Sequence, residues 1–156
     1  MSLENVKKYF AQSGMDSRIL ELDESSATVE LAAIALKTQG CRIAKTLSFL
    51  VEEKPILIVM AGDAKIDNKK YRDFFKTKAK MLTVEQVGSL IGHNVGGVCP
   101  FAVNEGVQTF LDVSLKRFET VFPACGSSNS AIELTIPELE KYSLSSGWLD
   151  VCKLPE

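Results

Sequence analysis

Metal-ligand spacing is missing from this 156-residue chain: it has one histidine, His93, and its four cysteines, at 41, 99, 125 and 152, form no CxxC pair. That argues against a zinc site and leaves paired-thiol redox chemistry without its second sulfur. Reduced thiols in a reducing compartment are the simpler reading. The longest apolar run, "ILIVMA" at 56–61, falls far short of the roughly 20 residues that span a bilayer. No basic stretch followed by an apolar one opens the chain, so no secretory signal is read and the expected compartment is the cytoplasm. There is no GxxxxGK[ST] loop and no GxSxG elbow, and "GHNVGG" (92–97) lacks the strand–GxGxxG–helix setting of a dinucleotide site.

What is present is an ordinary globular composition, 46% apolar and 24% charged, most simply one domain over 1–156. The net charge of −2 is unevenly spread. Between Lys65 and Lys80 seven basic residues, among them Lys69, Lys70 and Lys76, stand against Asp67 and Asp73, a local +5, while the other 140 residues carry 11 basic and 18 acidic groups. Such a stretch is either a solvated lysine-rich helix or an electrostatic footprint for a phosphate backbone.

Periodicity and capping signals divide the chain. Leu3, Val6 and Phe10 have helical spacing and Gly14 supplies a stop. "RILEL" (18–22) alternates as a strand. Thr28 caps a helix running to about Lys37 and ending near Gly40. Strands 43–51 and 55–61, joined by "EEK", form a hairpin. Asp67 caps a helix to about Lys76 with Tyr71, Phe74 and Phe75 on its apolar side. "TVEQ" (83–86) and "TIPELEKYS" (135–143) carry the Thr-x-x-Gln/Glu capping pattern. Strands are expected at 107–113, 120–126, 131–135 and 147–152. About seven strands among short helices predict an α+β domain with a mixed, mostly antiparallel and partly barrel-like sheet. A doubly wound fold fits poorly, because strands follow one another without regular crossover helices.

Three features are candidates for chemistry. In "RIAKTLSFLV" (42–51) alternation puts Ile43, Lys45, Leu47, Phe49 and Val51 on one face, so an ammonium interrupts an apolar stripe. Lys45 must snorkel out, find a carboxylate or face a pocket. The loop "GHNVGGVCPFA" (92–102) is either a connection or a ridge of free backbone groups able to orient a water or hold an oxyanion. The polar turn "GSSNS" (126–130) precedes "AIEL". Cys99 and Phe101 either line a pocket or pack inward. His93 reads as a surface residue beside the loop.

The order "RIAKTLSF", "VGGVCPFA", "PACGSSNSAIEL", after a helix-opening "TVELAA", resembles the YbaK/prolyl-tRNA editing domain family of aminoacyl-tRNA deacylases, over about residues 15–143. The resemblance implies a free-standing hydrolase that removes a wrong small amino acid (alanine, cysteine, serine or threonine) from tRNA, usually tRNA for proline. Lys45 matches the family's essential lysine, which makes the strand ammonium a cleft group. Gly96, Gly97, Val98, Cys99, Pro100 and Phe101 match the Gly-x-x-Pro loop that positions ester and water, and Gly126, Ser127 and Ser128 the adjoining turn. If the substrate is tRNA, the basic stretch read above, with Lys69, Lys70 and Lys76, is the candidate contact to it, against its reading as a solvated helix.

The resemblance also implies that no metal or organic cofactor is needed, that the partners are the tRNA acceptor end and prolyl-tRNA synthetase, and that the protein is a monomer or homodimer without membrane contact. The chain departs from the pattern at Ala102, where the loop's last glycine stands, and at Ala131, where some members are acidic. Two other classes compete: a non-catalytic tRNA-binding module of the same fold, and a thiol-dependent enzyme using Cys99 or Cys125, which would need a depressed thiol pKa.

Overall fold

In a computed structural model that describes residues 2–155, the chain builds on one hairpin. Strands β2 (Ile43–Val51) and β3 (Lys54–Ala61) pair antiparallel from Ala44 opposite Ala61 to Val51 opposite Lys54. The connection is a two-residue turn, Glu52–Glu53, with φ of 50° and 66°. Two left-handed residues match the right-handed twist of the strands, a role usually given to Asn-Gly. The second strand therefore starts one residue earlier than the pattern predicts.

Short strands extend this pair. They are β5 (Gln108–Asp112), β6 (Thr120–Pro123), β8 (Leu134–Thr135) and β9 (Trp148–Leu149). The six-stranded sheet runs β8-β6-β2-β3-β5-β9 and curls into a half-barrel. Two antiparallel pairs flank it, β1 (Ile19–Glu21) with β7 (Ser130–Ile132) and β4 (Lys65–Ile66) with β10 (Cys152–Lys153). Among the described residues the joins β2–β6, β3–β5 and β5–β9 are parallel and the other four antiparallel. The mixed α+β class is as expected. Among the described residues ten strands replace about seven, because two-residue strands carry no readable alternation and because Glu133 splits "AIELT" in two.

Helices start where their caps are. In α2 (Val29–Leu36) Leu31 N donates to Thr28 Oγ1 at 3.1 Å, and in α3 (Asn68–Phe75) Lys69 N and Lys70 N donate to Asp67. Reciprocal capping boxes open α4 (Val84–Gln86) and α5 (Ile136–Tyr142). Helix α2 stops at Lys37, itself left-handed, three residues before Gly40. Gly40 serves packing instead: a Cβ on Gly62 would lie 2.1 Å from the Gly40 carbonyl oxygen.

The core sits in the trough of the sheet. Phe49, Ile56, Ile58 and Met60 join Val6 and Phe10 of α1 (Ser2–Ala11) and Tyr71 of α3. Leu57, on the opposite face, packs with Leu82, Val87 and Ile91. Both faces of the hairpin are thus covered, which is why β3 is buried from Ile56 to Ala61. Among the described residues no helix is long and apolar enough to cross a membrane.

Candidate active site

A gap in strand pairing makes the site. Strand β6 lies beside β2 only at Ile43–Phe122 and Ala44–Pro123 and then leaves it. The Lys80–Leu82 segment takes over further along, where Leu50 N donates to Lys80 O and Leu82 N to Ser48 O. Between these joins the edge of β2 at Lys45, Thr46 and Leu47 has no strand neighbour, so its outward backbone groups are free. A cavity of about 430 Å³ opens there, walled by α2, the start of β2, Phe122 of β6 and the 95–98 loop. This is the size of a small-ligand pocket.

Lys45 is the one charged side chain among the described residues that line it. Its neighbours across the hairpin continue an apolar stripe, since it stands opposite Met60 and Leu47 stands opposite Ile58. The half-buried ammonium donates to Ala64 O at 2.5 Å and Gly62 O at 3.3 Å, two carbonyls just past the end of β3. No carboxylate comes within ion-pair distance among the described residues; nearby Asp63 is bound in a fork by Arg117 at 2.5 and 3.1 Å. Burial lowers the Lys45 pKa, opposed in part by the charge of Asp63. With two N–H groups given to carbonyls, the ammonium keeps a third donor.

Gly96 and Val98 border the same cavity as Lys45. Gly97 does not, but fixes the loop. A Cβ on it would lie 2.6 Å from Gly126 C and Ser127 N, so the two predicted loops meet backbone to backbone. Gly126, at φ 95°, is pressed against Ser2 in turn. Ser127 Oγ donates to Ser130 Oγ at 2.7 Å, and Ser128 O accepts from Ser26 N at 2.5 Å. Gly97, Gly126, Ser127 and Ser128 support the cavity wall without lining it, whereas Ser26 and Ser130 line it.

Three expectations are corrected. Cys99 and Phe101 are fully buried in the core, Phe101 meeting Phe10 edge-on at 4.8 Å, and Pro100 is buried beside them. None lines the cavity, because the loop turns these side chains toward α1. His93 is 1% exposed rather than on the surface. Its Nε2 lies 2.7 Å from Phe101 O, which closes the loop, and burial lowers its pKa. The thiol-dependent reading loses its nucleophile, since burial pushes the Cys99 thiol up to about 12 and raises Cys125 as well.

Ala102, where the family pattern has glycine, keeps the left-handed conformation at φ 53°. Lys69, Lys70 and Lys76 are exposed on and just after α3, away from the residues lining the cavity. Lys70 is tied to Asp150 and Cys152 O, each at 3.0 Å, and Lys69 lies 3.9 Å from Asp73. Among the described residues no three His, Cys, Asp or Glu side chains gather to hold a metal ion. Sequence reasoning missed Thr46 and Ser48, which also line the cavity. Two hydroxyls alternating along a strand otherwise apolar apart from Lys45 were the available signal.

Comparisons with known proteins give the family and the fold. Residues 23–142 match the family model described as the aminoacyl-tRNA editing domain. An uncharacterized Bacillus subtilis (strain 168) protein, YwhH, is 54% identical over 154 residues, covering 98% of both chains. A proline–tRNA ligase of Latilactobacillus sakei is 28% identical over 90 residues, 57% of this chain but only 16% of the ligase. A crystal structure of a candidate trans-editing enzyme for prolyl tRNA synthetase superposes with a TM-score of 0.87 at 25% identity, covering 97% of each chain. The family match spans most of the chain and the fold agrees, so the chain belongs to the aminoacyl-tRNA editing domain family.

Proposed function

We propose that this protein is a trans-acting aminoacyl-tRNA deacylase, a single editing domain over 1–156. It hydrolyses the ester of a mischarged small amino acid (alanine, cysteine, serine or threonine) on tRNA, with tRNA for proline the first candidate. The observation that carries this reading is the lone ammonium of Lys45, held by backbone carbonyls at an open strand edge that borders the same cavity as Gly96 and Val98.

An aminoacyl ester is already activated, so its hydrolysis needs a placed water and a stabilised oxyanion more than a strong nucleophile. Water adds to the ester carbonyl carbon and the negative charge gathers on its oxygen. The third N–H of Lys45 and the backbone N–H groups of Gly96 and Val98 supply donors to that oxygen, the Gly97 N–H being already given to Asn94 O at 3.0 Å. Collapse then breaks the ester C–O bond, and the ribose oxygen leaves as a hydroxyl with the proton released by the attacking water. Lys45 acts as a point charge and not as a base, because a protonated amine has no lone pair to take a proton. With a cysteinyl ester, the substrate's own thiol can take the place of water.

The match to part of a proline–tRNA ligase makes that synthetase the candidate partner, in the cytoplasm, where charged tRNA is found. The exposed lysines of α3 are the proposed contact to the tRNA backbone. Deacylation of tRNA for proline charged with alanine, cysteine, serine, threonine or proline, by wild type and Lys45→Ala, tests the reading. Turnover of one or two noncognate esters that vanishes in the variant is expected. Charged-tRNA binding without turnover of any ester would overturn it in favour of a binding module.

A further inference from the structure

The loop that carries Gly96 and Val98 is closed at its base by three nested hydrogen bonds. The outermost runs from Asn104 N to Ile91 O at 2.9 Å and the innermost from Gly97 N to Asn94 O at 3.0 Å. Between them a side chain makes the bond: His93 Nε2 lies 2.7 Å from Phe101 O. A carbonyl oxygen only accepts, so Nε2 carries the hydrogen and Nδ1 holds the lone pair. Nδ1 is buried and has no partner among the described residues. Burial lowers the pKa of the ring, opposed by the bond to Phe101 O, so the imidazole is neutral at pH 7. Cys99 Sγ, 3.5 Å from Nε2, donates to the same carbonyl at 3.7 Å, so both lone pairs of Phe101 O are engaged. The next residue, Ala102, stands at φ 53°. An L side chain resists that conformation, and the pinned peptide before it opposes its relaxation.

Packing alone does not call for an imidazole at this place. Residue 93 is 1% exposed, and leucine would fill much of the volume without leaving a polar atom unpaired. What leucine lacks is the N–H. We propose that His93 is a positioning residue for the reaction: its Nε2–H, bonded to Phe101 O, holds the two limbs of the 92–102 loop together and so sets where Gly96 and Val98 stand relative to Lys45. The inference rests on the deacylase reading, which gives the backbone N–H groups of Gly96 and Val98 to the oxyanion. His93 itself does not line the cavity, so it acts through the loop. A donor misplaced by about 1 Å can cost roughly 10²-fold in rate, which makes a tie at the loop base matter to chemistry at its tip. Such a loss falls on kcat, because the charge these donors meet develops only on the way to the transition state.

The experiment compares wild type, His93→Leu and His93→Gln on tRNA for proline charged with alanine, cysteine, serine or threonine, below the unfolding transition of each protein. Glutamine can place an N–H near the position of Nε2, and like His93 it leaves only an acceptor unpaired. His93→Leu is expected to lower kcat about tenfold or more with KM within about twofold, and His93→Gln to keep kcat within about threefold of wild type. A merely structural histidine predicts a lowered melting temperature in His93→Leu with kcat unchanged while the protein is folded, and that result overturns the inference while the deacylase reading stands. Equal losses of kcat in both variants overturn it too, because the N–H would then not be what matters. His93 is the single histidine of the chain, so imidazole nitrogen NMR of the wild type reads the tie even where a variant does not fold. A neutral ring locked with its hydrogen on Nε2 is expected at pH 7; a hydrogen on Nδ1, or a ring averaging between the two forms, overturns the inference. Absence of wild-type turnover on every noncognate ester overturns the deacylase reading and this inference with it.

Discussion

Gly97 and Gly126 touch backbone to backbone: a methyl on Gly97 would sit 2.6 Å from the Gly126 carbonyl carbon. Backbone cannot swing aside as a flexible side chain can. Gly97→Ala is therefore expected to destabilise the fold by ~1–3 kcal/mol, the usual range for overpacking, and to displace the 96–98 loop. Chemical denaturation measures the first effect and deacylation the second. An unchanged unfolding midpoint would show that the two loops separate freely.

Removing Lys45 separates function from folding. Lys45→Met is expected to lower deacylation by roughly 10²–10³-fold, as for loss of an oxyanion donor, with no loss of stability at neutral pH, since a half-buried ammonium without a carboxylate partner is replaced by an apolar chain. Lys45→Arg is not expected to rescue, because a planar fork cannot replace a point charge between two carbonyls.

The lowered pKa of Lys45 fixes the sign of a pH effect. Between its folded value and the ordinary value near 10.5, the unfolded chain binds the proton that the folded chain has released. Wild-type stability then rises with pH relative to Lys45→Met across that alkaline window. Paired denaturation curves toward pH 10.5 check it; a constant difference would show that the folded and unfolded values are the same.

At the acid end Glu138 is the group to watch. Its carboxylate takes Arg18 at 2.7 and 3.2 Å and caps α5, which holds its pKa at about 2 against an ordinary 4.5. Its stabilisation is complete above 4.5 and lost as pH falls toward 2. Solvent screening keeps the ion-pair share to about 0.2–1 kcal/mol. Glu138→Gln should flatten the unfolding midpoint between pH 4.5 and 2, and a parallel fall would assign the acid limb to other carboxylates.

Ala102 holds φ 53°, a conformation that glycine adopts without a Cβ penalty. Ala102→Gly is expected to stabilise by about 0.5–1 kcal/mol after the greater freedom of glycine in the unfolded chain is counted. A lowered melting temperature would mean that the alanine methyl contributes packing that outweighs the strain.

If α3 meets the tRNA backbone, Lys69→Ala and Lys76→Ala should each reduce the slope of log affinity against log salt by about one. Lys70→Ala should also disturb the β10 end, because Lys70 bonds Asp150 and Cys152 O. Salt-dependent binding that is identical in all three variants would remove α3 from the tRNA surface.

Local features of this fold were legible in the sequence because contiguous residues encode them. The β2–β3 hairpin follows from period-two spacing in β2 and the continuous apolar run of β3, and the starts of α2, α3, α4 and α5 follow from Thr28, Asp67, Thr83 and Thr135 binding N–H groups two or three residues on. Lys45 stood out because it broke the stripe. The inward turn of Cys99 and Phe101 and the burial of His93 were not legible, since a glycine-rich loop has no period to say which side faces the core.

The cavity itself was beyond local reading. It exists because β6 pairs with β2 at Ala44–Pro123 and then departs, while Leu82 rejoins at Ser48. Those contacts join residues far apart in the chain. By itself the sequence determined the elements and the odd lysine within them. Only the tertiary structure decided that three residues of β2, paired with β3 on one side, would lack a neighbour on the other, and that open edge borders the cavity that Lys45 lines.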